Sequence, residues 1–195
     1  NGEWKDADSG KTLDVTNPAN GEVIGTVPDM GAAETRQAIE AANEAWPAWR
    51  AKTAKERAGI LRKWFELMLA NTDDLAMMMT LEQGKPLAEA KGEIAYAASF
   101  IEWFAEEGKR AYGDIIPQHM NDRRIMVTKE SIGVCAAITP WNFPLAMPHW
   151  MTLPALVTGN TVVLKPSEQT PLIAQAYADV LNQFLPEGVL QVVHG

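Results

Sequence analysis

The 195 residues suffice for one domain with a substantial core, and 47% hydrophobic with 22% charged residues is an ordinary soluble composition. A net charge of −8, from 17 basic and 25 acidic residues with no Lys/Arg cluster, excludes the basic face that nucleic acid or an anionic membrane would require. No apolar run is long enough to span a bilayer, and the single cysteine, Cys135, excludes an intrachain disulfide and fits a reducing, cytoplasmic setting.

The chain opens Asn1-Gly2-Glu3-Trp4-Lys5 with neither an apolar leader run nor Met, so a trimmed start is expected. Strand-like segments 13–16 and 23–27 flank Asn17-Pro18-Ala19-Asn20-Gly21, and the Asn-Gly pair predicts a tight hairpin because both residues tolerate positive φ. Segment 33–49 carries Ala38, Ile39, Ala42 and Trp46 on one helical stripe, with Pro47 expected to end or kink it. Thr53-Ala54-Lys55-Glu56 is a capping box opening a helix to 69. Its expected core face is Ala58, Leu61, Trp64, Phe65 and Met68. Asn71-Thr72 opens another helix, stopped at Gly84 before Pro86. Segment 87–110 is a long amphipathic helix with Ile94, Ala97, Ala98, Ile101, Phe104 and Ala105 inward.

The pattern then changes. Segment 124–129 alternates and fits a surface or interface strand. Segment 134–138 is continuously apolar and is expected to be buried on both faces. A helix over 143–157 is punctuated by Pro148 and Pro154 and stopped at Gly159-Asn160. Segment 161–164 is a buried strand, Thr170-Pro171 starts a helix to 184 with Pro at its first position, and 190–193 is a strand. The order is a hairpin, helices, a strand excursion, then βαβαβ, without repeats or low-complexity segments. It predicts an α/β fold with a doubly wound parallel sheet. Three strands cover such a sheet poorly, so the chain is expected to be the N-terminal part of a longer polypeptide.

Two runs carry the chemistry: Ile138-Thr139-Pro140-Trp141-Asn142-Phe143-Pro144 and Val162-Val163-Leu164-Lys165-Pro166-Ser167-Glu168. Each reads as a strand end breaking into a polar loop, at the carboxyl edge where open α/β sheets bind ligands. Asn142 could donate to a developing oxyanion, although taken alone a turn-forming Asn is the simpler reading. Lys165 suits a phosphate or ribose hydroxyl, or simply solvent. Glu168 suits a ribose diol, or simply the entry of a helix. No G-x-G-x-x-G fingerprint occurs. Cys135 lies inside an apolar strand, where burial raises a thiol pKa, and is expected to be a structural core residue. His119, His149 and His194 have no metal-ligand spacing, so no metal site is expected. The seven tryptophans fall mostly at helical core positions and are expected in the core or at an interface, and Met77-Met78-Met79 in the core.

These residues resemble the aldehyde dehydrogenase superfamily along the whole chain. Asn17-Pro18-Ala19-Asn20-Gly21-Glu22, Leu81-Glu82-Gln83-Gly84-Lys85-Pro86, Pro140-Trp141-Asn142-Phe143-Pro144 and Lys165-Pro166-Ser167-Glu168 occur in that family's order. Segment 81–116 most resembles bacterial succinate-semialdehyde dehydrogenases, as in Glu89-Ala90-Lys91-Gly92-Glu93-Ile94 and Tyr112-Gly113-Asp114-Ile115-Ile116-Pro117. The resemblance implies an NAD-dependent enzyme that adds a thiolate to an aldehyde, transfers hydride to NAD and hydrolyses the thioester. It assigns Asn142 to the oxyanion hole. Ile138, Thr139, Pro140 and Trp141 line the nicotinamide–ribose cleft, and Lys165, Pro166, Ser167 and Glu168 form the adenosine-ribose side. A carboxylate at 168 would repel a 2′-phosphate, so NAD is expected over NADP. Residues 1–112 and 132–195 would form the cofactor-binding domain, incomplete at its C-terminus. Residues 113–131 would form a hairpin assembling a homo-oligomer, a dimer or a tetramer.

The family's nucleophilic cysteine and general-base glutamate lie beyond residue 195, and Cys135 does not match the nucleophile. Where succinate-semialdehyde enzymes carry I-T-R-K, with an Arg for the substrate carboxylate, this chain has Pro148-His149-Trp150-Met151. That departure favours a less polar aldehyde over succinate semialdehyde. The competing readings are a non-catalytic fragment or paralogue serving as an assembly module, and an unrelated nucleotide-binding module.

Overall fold

In the computed structural model, which describes residues 3–195, the first elements are an antiparallel pair, β1 (Thr12–Thr16) and β2 (Val23–Pro28). The expected domain start at residue 1 lies outside the described residues. Their turn is wider than the Asn-Gly pair predicts. Gly21 has φ +76° but no non-glycine described residue has positive φ, so Asn20 does not take part in a two-residue primed turn. Instead Asn17 closes the loop: its Oδ1 accepts from the Ala19 N–H (2.9 Å) and its carbonyl from the Gly21 N–H (2.8 Å).

Helices α1 (Ala32–Arg50), α2 (Ala54–Ala70), α3 (Thr72–Gln83) and α4 (Leu87–Glu107) follow, the last ending in a 3-10 turn, Gly108–Arg110. Pro47 does not end α1. Its ring is exposed, and buried Trp49 anchors the last turn by donating Nε1–H to the Leu156 carbonyl (3.1 Å). The expected stripe is shifted accordingly: Ile39 is exposed and Trp46 only half-buried. The capping box forms, with Thr53 Oγ1 accepting from the Glu56 N–H (3.2 Å) and the Glu56 carboxylate from the Thr53 N–H (2.7 Å). Asn71 occupies the N-cap of α3, but its side chain donates back to the Leu67 carbonyl of α2 (2.7 Å).

Strands β3 (Asp114–Ile116) and β4 (Ile125–Val127) make a separate antiparallel hairpin with an exposed apolar surface. The remainder alternates β5 (Val134–Ile138), α5 (Ala146–Val157), β6 (Thr161–Lys165), α6 (Pro171–Asn182) and β7 (Leu190–Val192), a parallel sheet in the order β5-β6-β7. Helix α1 covers one face, where Ala42 meets Val163 and Val193. Helices α5 and α6 cover the other, joined there by α2 and α4 in the main core. The α/β architecture is as the sequence order implies. Strand β6 is buried along four residues, whereas β5 is the sheet edge, with Ala136 and Ile138 exposed. The expectation that β5 is buried on both faces is therefore corrected: no strand or helix among the described residues closes its outer side.

Only Trp49 and Trp64 of the tryptophans are fully buried, and Trp4, Trp103, Trp141 and Trp150 are exposed. Likewise Met79 is core while Met77 is exposed. His149 is a core residue. It stacks on Trp64 (4.6 Å between centroids), its Nδ1 bonds the Leu145 carbonyl (2.6 Å), and burial drives its pKa down to about 3. Among the described residues no helix is long and apolar enough to cross a membrane.

Candidate active site

The parallel register sets Ile138 opposite Lys165, and the Thr139 N–H donates to the Lys165 carbonyl (3.1 Å). The two candidate loops thus leave the sheet side by side. In the first, Thr139, Pro144 and Leu145 are buried while Pro140, Trp141, Asn142 and Phe143 are exposed. The prolines disfavour helix at the residues preceding them, and α5 begins at Ala146, later than the expected 143.

A buried carboxylate holds this loop. Glu93 of α4 is 4% exposed, and its Oε1 accepts from the N–H groups of Leu145 (3.0 Å) and Ala146 (3.1 Å) at the start of α5. Its Oε2 pairs with Lys85 Nζ, which also donates to the main-chain oxygen of Asn142 (3.1 Å) and lies 4.4 Å from the Phe143 ring centroid. The main chain of Asn142 is therefore fixed, while its side-chain amide makes no hydrogen bond among the described residues.

The second loop is held in the same way. Glu82, buried at the end of α3, accepts from the N–H groups of Leu172 (2.5 Å) and Ile173 (3.0 Å) in the first turn of α6. Burial pushes its carboxyl up to about 7, against the pull of those two N–H bonds. Pro166 and Ser167 are buried, and Ser167 shapes the turn, its Oγ accepting from the Gln169 N–H (3.2 Å). Lys165 and Glu168 lie 3.9 Å apart, Glu168 exposed and Lys165 half-buried with its Nζ also donating to the Pro166 carbonyl (3.3 Å); the contact between the two is worth little in water.

Two cavities adjoin these loops. One of about 290 Å³ is lined by Ile138, Lys165, Cys135, Val163, Val193 and His194. The other, about 390 Å³, brings Trp141 and Glu168 together with Glu82 and Pro18. Of the predicted residues, Ile138 and Lys165 line the first cavity and Trp141 and Glu168 the second, while Asn142 lines neither. Cys135 packs against the main core as expected but is only half-buried, because β5 is the sheet edge; burial pushes its thiol up. Buried His194 has no partner on either ring nitrogen among the described residues, and burial, aided by Lys165, lowers its pKa to about 4. Trp150 is 56% exposed on α5 and stacks on Phe100 of α4 (6.3 Å, 9°), so an aromatic surface stands at that position. Among the described residues no group of three or more His, Cys, Asp or Glu could hold a metal.

Sequence reasoning quoted Glu82, Lys85 and Glu93 only as family markers. A signal for the two acids was present. Glu93 falls on the same helical stripe as Ala90, Ile94 and Ala97, and Glu82 on that of Leu75 and Met79. An acid on a core stripe requires a buried partner.

The sequence pattern of the aldehyde dehydrogenase family matches residues 4–195. The chain is 67% identical over 196 aligned residues to a glutarate-semialdehyde dehydrogenase of Pseudomonas putida, and 65% identical to a succinate-semialdehyde dehydrogenase (NADP(+)) of Escherichia coli. In each case the whole chain aligns with 41% of the relative, so it spans well under half of their length. A crystal structure of an Escherichia coli NADP-dependent enzyme superposes with a TM-score of 0.98 at 65% identity, over all of this chain and 41% of that one. The chain belongs to the aldehyde dehydrogenase family.

Proposed function

We propose that the full-length protein carrying this chain oxidises an aldehyde to a carboxylic acid with NAD(P), and that these residues supply the oxyanion donor and one side of the cofactor cleft. The observation that carries the reading is Asn142: its main chain is tied to Lys85 while its amide is uncommitted, beside the strand end bearing Lys165 and Glu168. An amide fixed in advance stabilises charge developing on the aldehyde oxygen without reorganising during reaction. NAD(P), when bound, supplies the hydride acceptor.

The residues fit such a group. Lys165 and Glu168 offer a cation and a carboxylate to ribose hydroxyls, and Ile138, Val163 and Val193 line a largely apolar cavity beside Lys165. The carboxylate of Glu168 favours a 2′-hydroxyl over a 2′-phosphate, so we assign NAD as the preferred cofactor, although the Escherichia coli relative is named for NADP(+). Aldehyde-dependent formation of reduced nicotinamide by the full-length protein is the test, with the higher kcat/KM expected for NAD. A preference for NADP overturns the assignment. Asn142→Ala is expected to lower kcat about 100-fold, and an unchanged kcat removes the oxyanion role.

The aromatic pair Phe100–Trp150 offers no charge to a substrate carboxylate, and supports hexanal or benzaldehyde as better substrates. A second reading, succinate or glutarate semialdehyde, is favoured by the relatives at 65% and 67% identity. Comparing kcat/KM across these aldehydes decides between them. The β3–β4 hairpin is assigned to assembly of a homo-oligomer.

A further inference from the structure

We propose that Lys85 and Glu93 are positioning residues for catalysis, acting through Asn142; the proposal rests on Asn142 serving as the oxyanion donor. One ion pair grips the loop from both ends. Glu93 takes the N–H groups of Leu145 and Ala146, where the loop enters α5, and Lys85 takes the carbonyl of Asn142 itself and covers the neighbouring Phe143 ring. The loop forms no other side-chain contact of this kind with α3 or α4 among the described residues.

The placement of the pair is specific. Its acid sits on the inward stripe of α4, whose neighbours Ala90, Ile94 and Ala97 are packed in the core. Its base follows Gly84, the left-handed cap of α3 at φ +81°, which turns the chain so that Lys85 points back at the loop. A buried pair replaced by neutral groups of similar size is commonly tolerated by a fold, so stability alone does not account for a cation aimed at the carbonyl of Asn142. A fixed carbonyl fixes the plane of the peptide and the direction in which the Asn142 Cα–Cβ bond leaves it. An oxyanion donor displaced by a fraction of an ångström loses much of its effect.

The test is a double-mutant cycle in the full-length protein. Lys85→Met is made in the parent and in the Asn142→Ala background, and kcat, cofactor KM and thermal unfolding are measured for all four proteins. Where Lys85→Met alone fails to fold, the paired exchange Lys85→Met with Glu93→Gln, which removes both charges and keeps an acceptor for the Leu145 and Ala146 N–H groups, takes its place. Removal of the clamp is expected to lower kcat about tenfold in the parent and less than twofold once Asn142 is gone, with cofactor KM unchanged. Equal losses in both backgrounds, or no loss in the parent, overturn the proposal while leaving the oxyanion role intact. An Asn142→Ala variant with full kcat overturns the oxyanion role first, and the clamp proposal with it.

Discussion

Glu82 and His149 are displaced from their ordinary pKa values by the same cause, burial, in opposite directions. Glu82 holds its proton more tightly folded, at about 7 against 4.5. Its contribution to stability is full below 4.5 and is lost as pH rises toward 7. His149 and His194 hold theirs more weakly folded, at about 3 and about 4 against 6.5, so their contribution is present above 6.5 and is lost as pH falls. Between 4.5 and 6.5 the acid and the histidines oppose one another. Each group changes unfolding free energy by about 1.4 kcal/mol per pH unit in its window. Glu82→Gln is therefore expected to steepen acid destabilisation by about that slope per unit, read by urea unfolding across this range. Parallel profiles for variant and parent would mean that folded Glu82 is ionised throughout. At this scale the sequence was partly legible. Asn142, Lys165 and Glu168 stood out because each lies at or just past a strand end; the core stripes of α3 and α4 marked Glu82 and Glu93 as acids needing a partner, but neither Lys85 nor the helix N-termini they reach could be read from the sequence.

Among the elements, two turns differ in what they should do to activity. The Thr53–Glu56 box caps α2 away from the candidate loops. Thr53→Ala should lower stability by about 1 kcal/mol and leave kcat unchanged. Gly84 has φ +81°, and an added Cβ would come within 2.9 Å of Pro18 Cγ. Gly84→Ala should cost roughly 1–2 kcal/mol for the left-handed backbone and also lower kcat, since Lys85 follows directly. Thermal unfolding and kcat measured together separate the two cases; a Gly84→Ala protein with reduced stability and full activity would show that the turn does not aim Lys85. Helix positions were legible from 3.6-residue stripes and capping signals. The Asn17–Glu22 loop was not, because the Asn17 side chain closes a local turn that competes with the Asn-Gly signal, and the persistence of α1 through Pro47 and the half-open β5 were not, because they depend on the Trp49 anchor and on the sheet edge.

At the scale of the whole molecule, the β3–β4 hairpin projects apolar side chains outward, with Ile115 81% and Met126 73% exposed. If it assembles subunits, Ile115→Asp with Met126→Asp should convert the full-length protein to a smaller species in sedimentation velocity, with folding retained by circular dichroism. An unchanged sedimentation coefficient would remove the hairpin from the interface. The α/β class and the βαβαβ order were legible from the alternation of apolar runs and helical stripes. The three-dimensional relation between the early helices and the late loops was not, since contacts such as Glu82 to Ile173 join residues far apart in the chain.

That relation has a consequence for how the site can be rebuilt. Glu82 and Glu93 lie on consecutive helices, joined by the Gly84–Pro86 corner, and each grips the first turn of a different crossover helix. The gap between Asn142 and Glu168 is thus gauged from outside the sheet, by segment 82–93 working as a caliper across α5 and α6. Loops transplanted from a relative as 134–170 alone would arrive without the instrument that spaces them; a graft that carries 82–93 as well brings both the jaws and their setting.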